Sequence, residues 1–477
     1  MTHLLEVTVP SQSLDRIESV VGEPGVALLK ARAEDVKKRL NGRAIWNINS
    51  TAHGGGVAEM LYALMPYVRG LGIDARWTVI EGNPDFFRLT KRLHHALHGS
   101  KGDSSDLGPK QHETYEAVMH ENFGHLSGII EPGDVVILHD PQTAGLASHL
   151  MAHGAHVVWR CHVGTDEPGP EVDLAWDFLA PYLANVPATI FTREQYIPDC
   201  CDHGRSMIIP PSIDPFSPKN QEMDERTQRS ILVHTGIIEG PNGVMPTFER
   251  QDGSPGRVDR RADIIRSGRP PAWDTPLIVQ VSRWDPLKDP VGVMEGFGKL
   301  LERSLKRHPE LVLAGPNVSA VSDDPEGKGT LDRTEAAWRR LPHGFRDRVH
   351  LACLPMADDE ENAAIVNALQ RHATIVVQKS LKEGFGLTVT EAMWKSRPVV
   401  GSGVGGIRDQ IEDGKSGILL GNPQDLDEFA GALETLLNDP KLCEKMGRNA
   451  HERVHEHYLG ARHLLQYAEL VERVTGG

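Results

Sequence analysis

The sequence has 477 residues, more than the roughly 250–300 residues that one hydrophobic core supports, so we expect two domains. Hydrophobic residues make up 39% of the chain and charged residues 25%, which is typical of a globular protein and excludes a largely disordered one. The formal net charge of −15 repels polyanions and argues against nucleic acid or an anionic membrane as a partner.

The first residues, MTHLLEVTVPSQSLDRIE, have neither the basic start nor the long apolar stretch of a signal peptide. No apolar run approaches the roughly 18 residues that a membrane-spanning helix needs. We therefore expect a cytoplasmic protein. The five cysteines are odd in number and scattered, which predicts free thiols rather than a disulfide framework.

The first part of the chain, residues 1–215, is predicted to form an α/β domain. After a charged helical segment, strand-like runs recur at 43–50, 75–80, 134–140, 156–163, 188–192 and 206–213. These runs are rich in Val and Ile, and helix-length stretches mostly separate them. This alternation is typical of parallel strands joined by right-handed βαβ crossovers, and it predicts a doubly wound, Rossmann-like sheet.

The remaining chain predicts a second domain of the same kind. Residues 216–274 are rich in proline, glycine and charge, and we interpret them as a hinge followed by a polar insertion or lid outside any core. Strand-like runs return within 275–456, at 275–283, 310–316, 348–355, 373–380, 397–403 and 416–420. The tail, 457–477, has helical apolar spacing and needs a surface to pack on. Ligands of open α/β sheets bind beyond the carboxyl ends of the strands, so two facing domains predict a cleft.

Three motifs in the first domain follow predicted strands. STAHGGGVAEML (50–61) brings Gly54, Gly55 and Gly56 to a helix entrance, where glycine allows close backbone approach to a ligand. Its spacing is not GxGxxG, which argues against a dinucleotide site. LHDPQTAG (138–145) and WRCHVG (159–164) end two further strands, and their polar residues suit a sugar pocket. A lone structural histidine stays an open alternative for His162.

Two motifs in the second domain combine cations and carboxylates. VSRWDPLKDP (281–290) places Arg283 and Lys288 in one loop, where two cations can hold a diphosphate. LKEGFGLTVTEAM (381–393) places Glu383 in a strand-end loop and Glu391 one turn into the next helix. The free amides at that helix start suit an anion. A ligand made of sugar, diphosphate and ribose fits this pattern, although ordinary surface charges would also produce it.

Other chemistries have weaker signals. HHALH (94–98) lacks the glutamate of HExxH, and DCCDH (199–203) lacks a paired CxxC, so no metal site is predicted. The sequence contains no Walker loop and no G-x-S-x-G elbow, which argues against P-loop ATPases and serine hydrolases of that type.

With these motifs, the chain resembles the retaining glycosyltransferases of family 4, which have the two-domain GT-B architecture. Glu383 and Glu391 resemble the E-x7-E motif of that family, and Arg283 with Lys288 resemble its donor-phosphate pair. More narrowly, residues 14–475 are similar to the branch that contains trehalose glycosyltransferring synthases and trehalose phosphorylases. The resemblance implies a C-terminal helix that crosses back to pack on the first domain.

The resemblance also implies roles for individual residues. Glu383 and His162 would contact the transferred glucose, Glu391 the nucleotide ribose, and the glycine-rich turn would lie near the phosphates and the acceptor. We expect a catalytic set of His162, Arg283, Lys288 and Glu383. The expected donor-binding set is Gly54, Gly55, Gly56, Arg283, Lys288, Glu383, Gly384, Phe385, Gly386, Leu387 and Glu391. The expected acceptor-binding set is Asn49, Ser50, Asp140, Gln142 and Arg160.

The expected reaction is reversible transfer of glucose from a nucleoside diphosphate glucose (ADP- or UDP-glucose) to glucose, giving α,α-trehalose. Three alternatives stay open: a retaining trehalose phosphorylase, a sugar-nucleotide epimerase and a sugar-binding protein without turnover. No cofactor is expected to be required, and Mg²⁺ is expected only as a companion of the donor diphosphate. The sequence leaves open the nucleotide base, the preferred direction and whether the protein forms homodimers.

Overall fold

The computed structural model describes residues 5–52, 56–241, 245–318 and 325–476. The chain divides into two compact units. The first unit is Met1–Ser212 with Tyr458–Gly477, and the second is Ile213–His457. Among the described residues, no helix is long and apolar enough to cross a membrane.

The first unit contains one seven-stranded sheet in the order β1-β3-β2-β4-β5-β6-β7, parallel except for the antiparallel edge strand β1. Its strands are β1 (Leu5–Glu6), β2 (Ile45–Asn49), β3 (Ala75–Val79), β4 (Val135–His139), β5 (His156–Cys161), β6 (Ala188–Phe191) and β7 (Ser206–Ile208). Its first six helices are α1 (Asp15–Leu40), α2 (Gly56–Gly70), α3 (Pro84–Leu97), α4 (Pro109–Leu126), α5 (Ala147–Ala152) and α6 (Pro170–Leu183).

Side chains of the central strands alternate between two hydrophobic layers. Val136 and Leu138 of β4 belong to the layer that contains α3, α4 and α6, whereas Val135 and Ile137 belong to the layer that contains α1. A strand that is covered on both faces needs apolar residues at every position. This explains why the apolar run of β4 predicts a buried parallel strand.

The second unit contains another seven-stranded sheet, in the order β10-β13-β12-β11-β14-β15-β16, with β10 antiparallel and the others parallel. Before this sheet the chain forms α7 (Glu225–His234) and the hairpin of β8 (Thr247–Glu249) and β9 (Pro255–Arg257). The strands of the sheet are β10 (Asp263–Ile265), β11 (Leu277–Val281), β12 (Glu310–Pro316), β13 (Val349–Leu354), β14 (Ile375–Gln378), β15 (Val399–Ser402) and β16 (Gly417–Leu420). The helices that follow are α8 (Pro290–Leu301), α9 (Pro325–Arg340), α10 (His343–Arg346), α11 (Asp359–His372), α12 (Leu387–Trp394), α13 (Gly405–Gln410), α14 (Leu426–Asn438) and α15 (Pro440–His457).

Each unit has a sheet of mostly parallel strands covered by helices, which confirms the predicted α/β fold class. The predicted return of the tail is also confirmed: α16 (Gly460–Thr475) belongs to the first unit and packs against α1. Ala468, Leu470 and Val471 of α16 lie in the same hydrophobic layer as α1.

The segment 216–274 differs from the prediction of a hinge and a polar insertion outside the core. It belongs to the second unit, and β10 within it is an edge strand of the main sheet. The polarity of the segment led to the wrong prediction because two of its arginines are paired with the acidic start of α11. Arg250 binds Asp358 and Glu360, and Arg260 binds the buried Glu361.

Candidate active site

In the first unit, polar residues gather at the carboxyl ends of three neighbouring strands, β2, β4 and β5. His162 follows β5 and Asp140 follows β4, and the Asp140 carboxylate accepts a hydrogen bond from the His162 backbone N–H at 2.7 Å. Asp140 has a left-handed backbone with a φ of 63°. Such a backbone is uncommon outside glycine, although aspartate and asparagine tolerate it best.

Burial shifts the protonation of this group of residues. It raises the pKa of Asp140 to about 7, against the lowering effects of the His162 amide and of Arg160. Burial, with Arg160 nearby, lowers the pKa of His162 well below its usual value. His162 is therefore a neutral imidazole at neutral pH, suited to hydrogen bonding with hydroxyls rather than to holding an anion.

The sequence analysis missed two residues behind His162. His139, at the end of β4, contacts the His162 ring with 3.1 Å between the two ring nitrogens. Its other ring nitrogen lies 3.1 Å from the amide oxygen of Asn47 in β2. The available signal was the polar His139 directly before Asp140, at the end of an otherwise apolar run.

Gln142 has the property expected of a ligand contact. Its side-chain carbonyl oxygen is buried and has no hydrogen-bond partner among the described residues. Since buried polar atoms are nearly always satisfied, this oxygen is a candidate acceptor for a ligand hydroxyl.

Arg160 does not fit the predicted role of an acceptor contact. Its side chain is fully buried and donates to His463, to the Tyr467 hydroxyl and to the Ile209 carbonyl. These partners tie α16 to the sheet, and this corrects the prediction for Arg160. Arg160 lies within β5 and its side chain contacts α16, whereas His162 follows the end of the strand, and this difference in position explains the different roles.

Asn49 also differs from its predicted role. It is 4% exposed, accepts a hydrogen bond from the Trp77 indole at 2.8 Å and donates to the Thr51 carbonyl at 2.7 Å. Both ends of its amide thus hold the turn after β2. Ser50 is partly buried beside it. Gly54 and Gly55 lie outside the described residues, while Gly56 is the first residue of α2.

In the second unit, the predicted cations lie in the loop after β11. The Arg283 side chain is 71% exposed, and its ion pair with Asp285 is loose at 3.6 Å. The Lys288 ammonium lies 2.6 Å from the Glu383 carboxylate, in a site where both side chains are largely buried. An ammonium has three donors, and Glu383 is the one side-chain partner of this ammonium among the described residues, so two donors are available to a ligand.

A buried ion pair holds this loop in place. Lys379, which is fully buried, binds Asp289, the residue after Lys288. The Gln280 amide also donates to the Lys288 carbonyl at 3.0 Å. The loop that carries Lys288 is thereby fixed to the end of β14. The sequence analysis missed these residues, although a lysine directly after the apolar run of β14 was a usable signal.

The turn from Glu383 to Leu387 is built as the sequence predicts. Glu383 accepts a second hydrogen bond, at 3.1 Å, from Ser380. Gly386 precedes α12 with a φ of 86°, a conformation that favours glycine. The Gln410 amide holds the turn by donating to the Phe385 carbonyl at 2.6 Å, and the Gly406 N–H donates to the Gly384 carbonyl at 3.0 Å. Leu387 begins α12.

Glu391 lies one turn into α12 and is 3% exposed. One of its carboxylate oxygens lies 3.6 Å from the Lys219 ammonium, and the other is buried without a hydrogen-bond partner among the described residues. A buried carboxylate with an unused oxygen is costly unless a ligand completes it. Its position and its chemistry suit a pair of ligand hydroxyls.

Within the described part of the chain, no group of three or more His, Cys, Asp or Glu residues is arranged to bind a metal. The candidate ligand contacts of the second unit are cations and a helix start, which suit phosphates, and carboxylates, which suit hydroxyls. The first unit offers a neutral histidine and an amide for hydroxyls.

Two family models match the chain, one in each unit. The model for the N-terminal domain of trehalose synthase matches residues 47–198, and the model for glycosyl transferases group 1 matches residues 263–453. The trehalose synthase of Pyrococcus horikoshii is 34% identical over 476 residues and covers 100% of both chains. The trehalose synthase of Rubrobacter xylanophilus is 34% identical over 450 residues, 94% of each chain.

A trehalose phosphorylase from Pleurotus pulmonarius is 28% identical over 428 residues, which are 83% of this chain but 52% of the fungal protein. Among solved structures, the UDP-forming α,α-trehalose-phosphate synthase of Burkholderia xenovorans, in complex with glucose-6-phosphate, aligns with a TM-score of 0.65 at 17% identity, over 90% of this chain and 100% of that one. Sucrose-phosphate synthase of Thermosynechococcus elongatus aligns with a TM-score of 0.60 at 16% identity, over 91% and 100% of the two chains. These structural matches confirm the fold with two Rossmann-like domains.

Proposed function

This chain belongs to the trehalose synthase family and is a glycosyltransferase; from this premise we propose that it transfers α-glucose from a nucleoside diphosphate glucose to the anomeric hydroxyl of glucose, with retention, to form α,α-trehalose. The reaction is reversible. Full-length similarity to synthases supports this proposal over phosphorolysis, since the phosphorylase match is weaker and spans about half of that protein.

Glu391 is the observation that carries the choice of a nucleotide donor. Its buried, unpartnered oxygen calls for a hydroxyl-bearing ligand group at the start of α12. A nucleotide sugar supplies a ribose with vicinal hydroxyls next to its diphosphate. Inorganic phosphate, the co-substrate of a phosphorylase, supplies nothing for this carboxylate.

The proposed mechanism uses the two cations and the carboxylate Glu383 of the second unit together with His162. Lys288 and Arg283 stabilise the negative charge that develops on the leaving diphosphate, and the amides at the start of α12 add partial positive charge. Glu383 and His162 hold hydroxyls of the transferred glucose.

Glu383 is engaged by Lys288 and Ser380, and no carboxylate is assigned as a covalent nucleophile, in contrast to the paired acids of retaining hydrolases. We therefore favour attack on the same face from which the diphosphate departs. The bond between the anomeric carbon and the phosphate oxygen breaks as the glucose hydroxyl attacks, and the departing phosphate oxygen takes the hydroxyl proton. The proposed reaction requires no protein-bound metal, and Mg²⁺ would act on the donor diphosphate.

Product analysis tests the proposal. The protein is incubated with ADP-, UDP- or GDP-glucose plus ¹³C-glucose, and in separate arms with trehalose plus phosphate and with each sugar nucleotide alone. We expect α,α-trehalose and a nucleoside diphosphate in the first arm, and neither with Glu383→Gln. Glucose 1-phosphate from the phosphate arm would instead show a phosphorylase. A changed sugar nucleotide without acceptor would show an epimerase, and ligand-induced stabilisation without any product would show a binding protein.

A further inference from the structure

Asn47, His139 and His162 form a hydrogen-bonded series across three neighbouring strands. β2 pairs with β4 and β4 pairs with β5, which places the three side chains side by side at one end of the sheet. Both contacts within the series are 3.1 Å. Asn47 is 5% and His139 1% exposed, whereas His162 stays partly exposed. The series therefore runs from a buried amide to an accessible imidazole.

The chemistry of the buried end decides where the protons lie. The Asn47 amide nitrogen faces the Met65 sulfur at 3.9 Å, a weak acceptor, and its amide oxygen faces the Nε2 atom of His139. An amide oxygen only accepts hydrogen bonds, so Nε2 of His139 carries the proton. Burial, with Arg160 nearby, lowers the pKa of His139 to about 3. The ring is therefore neutral, and its Nδ1 atom is a bare acceptor.

The same logic continues to His162. A bare Nδ1 on His139 needs a donor, and the atom facing it is Nε2 of His162, which must therefore carry its proton. Burial keeps the His162 ring neutral as well, because its pKa is also lowered. Its Nδ1 atom is then bare and has no partner among the described residues.

We propose that Asn47 and His139 are positioning residues that fix His162 as its Nε2-protonated tautomer, so that Nδ1 of His162 accepts a hydrogen bond from a hydroxyl of the transferred glucose. The role of His162 in glucose binding rests on the proposed function. The tautomer of His162 is independent of that function, since it follows from the hydrogen bonds among the three side chains alone. In the opposite tautomer, His162 would present a donor, and two acceptors would face each other in the series: either the bare ring nitrogens of the two histidines, or Nε2 of His139 and the Asn47 amide oxygen.

Nitrogen NMR of the full-length protein, selectively labelled with ¹⁵N-histidine, tests the tautomer without any substitution. Two-bond ¹H–¹⁵N correlations distinguish protonated from bare ring nitrogens, and the spectrum of His162→Gln identifies the His162 signals. We expect a protonated Nε2 and a bare Nδ1 at pH 7.5. A protonated Nδ1, or a mixture of both tautomers, would overturn the proposal.

Two substitutions test what fixes the tautomer. Asn47→Leu removes the amide oxygen, and His139→Phe keeps a ring but removes both nitrogens. Met65→Leu is the matched control, because it changes the other contact of Asn47 and leaves the acceptor in place. Asn47→Leu and His139→Phe should each give mixed tautomers at His162 and lower kcat/KM for the sugar nucleotide about tenfold, the effect of one lost hydrogen bond. Met65→Leu should do neither.

The outcomes separate the inference from the proposed function. Unchanged His162 signals in a folded Asn47→Leu or His139→Phe protein would overturn the positioning role, whatever reaction the protein catalyses. If neither variant folds, the unsubstituted protein still decides the question. A bare His162 Nδ1 whose ¹⁵N signal shifts when a sugar nucleotide is added supports the inference, and a signal that does not shift contradicts it. A wrong reaction assignment would appear only in the product analysis, with the parent tautomer as expected.

Discussion

At the scale of single residues, Lys288 has the most informative position. Its ammonium binds Glu383 in a largely buried site and retains two donors for a ligand. Arg283 in the same loop is exposed, and its loose pair with Asp285 contributes at most about 1 kcal/mol, so it can turn toward a ligand at little cost. This combination suits one fixed and one mobile cation for a diphosphate.

Replacing Lys288 by alanine should lower kcat at least a hundredfold, because it removes a donor that stabilises charge on the leaving group, an effect of about 3–4 kcal/mol. Steady-state kinetics with a sugar nucleotide and glucose would measure this loss. Lys415→Ala is the control, since Lys415 is 63% exposed and its ion pair within the described part of the chain is with the nearby Glu412. A kcat of Lys288→Ala within a few fold of the parent would contradict the proposed role.

At the scale of elements, the predictable parts are those in which sequence pattern and tertiary packing agree. The strand β14, the turn at Gly386 and the helix α12 were predicted from an apolar run, a Gly-Phe-Gly turn and helical residues. Each of these is a local signal. The two glutamates could therefore be placed on a loop and a helix from the sequence alone.

The unpredictable parts depend on distant partners. β10 is an edge strand only because β13 lies beside it, and the acidic partners of Arg250 and Arg260 lie at the distant start of α11. Arg160 looked like a ligand contact because nothing local reveals that α16, about 300 residues later, covers it. The same reason hid His139, whose function depends on Asn47, 92 positions earlier.

At the scale of the whole molecule, the structure keeps several ionisable groups in their neutral forms. Burial, with Arg160 nearby, lowers the pKa values of His139, His162 and His463. Burial also raises the pKa of Asp140 to about 7, against the lowering effect of Arg160. His463 bonds to both Arg160 and Ser212, so protonation would break a buried network. Folding should therefore depend on pH through these groups.

Between about pH 4.5 and 5.5, the unfolded chain binds protons at the three histidines, whereas the folded chain binds one at Asp140. The unfolded state therefore holds about two more of these protons, and stability from these groups should fall by about 3 kcal/mol per pH unit as the pH decreases. Urea unfolding at several pH values measures this slope. His463→Gln should reduce the difference in bound protons between the two states by about one, and the slope in proportion. His457→Gln is the control, because the His457 ring is 53% exposed, and it should leave the slope unchanged. A free energy of unfolding that is constant over this range would contradict the account.

The central claim is that the cations and carboxylates of the second unit hold one sugar nucleotide. A crystal structure of the protein with an intact nucleoside diphosphate glucose, or a non-hydrolysable analogue, tests it most directly. The account predicts that Lys288 lies about 2.8 Å from a phosphate oxygen and that Glu391 accepts hydrogen bonds from the ribose hydroxyls. A bound nucleotide whose phosphates lie beyond hydrogen-bonding distance of Lys288 and Arg283, with the Glu391 oxygen still unpartnered, would contradict it.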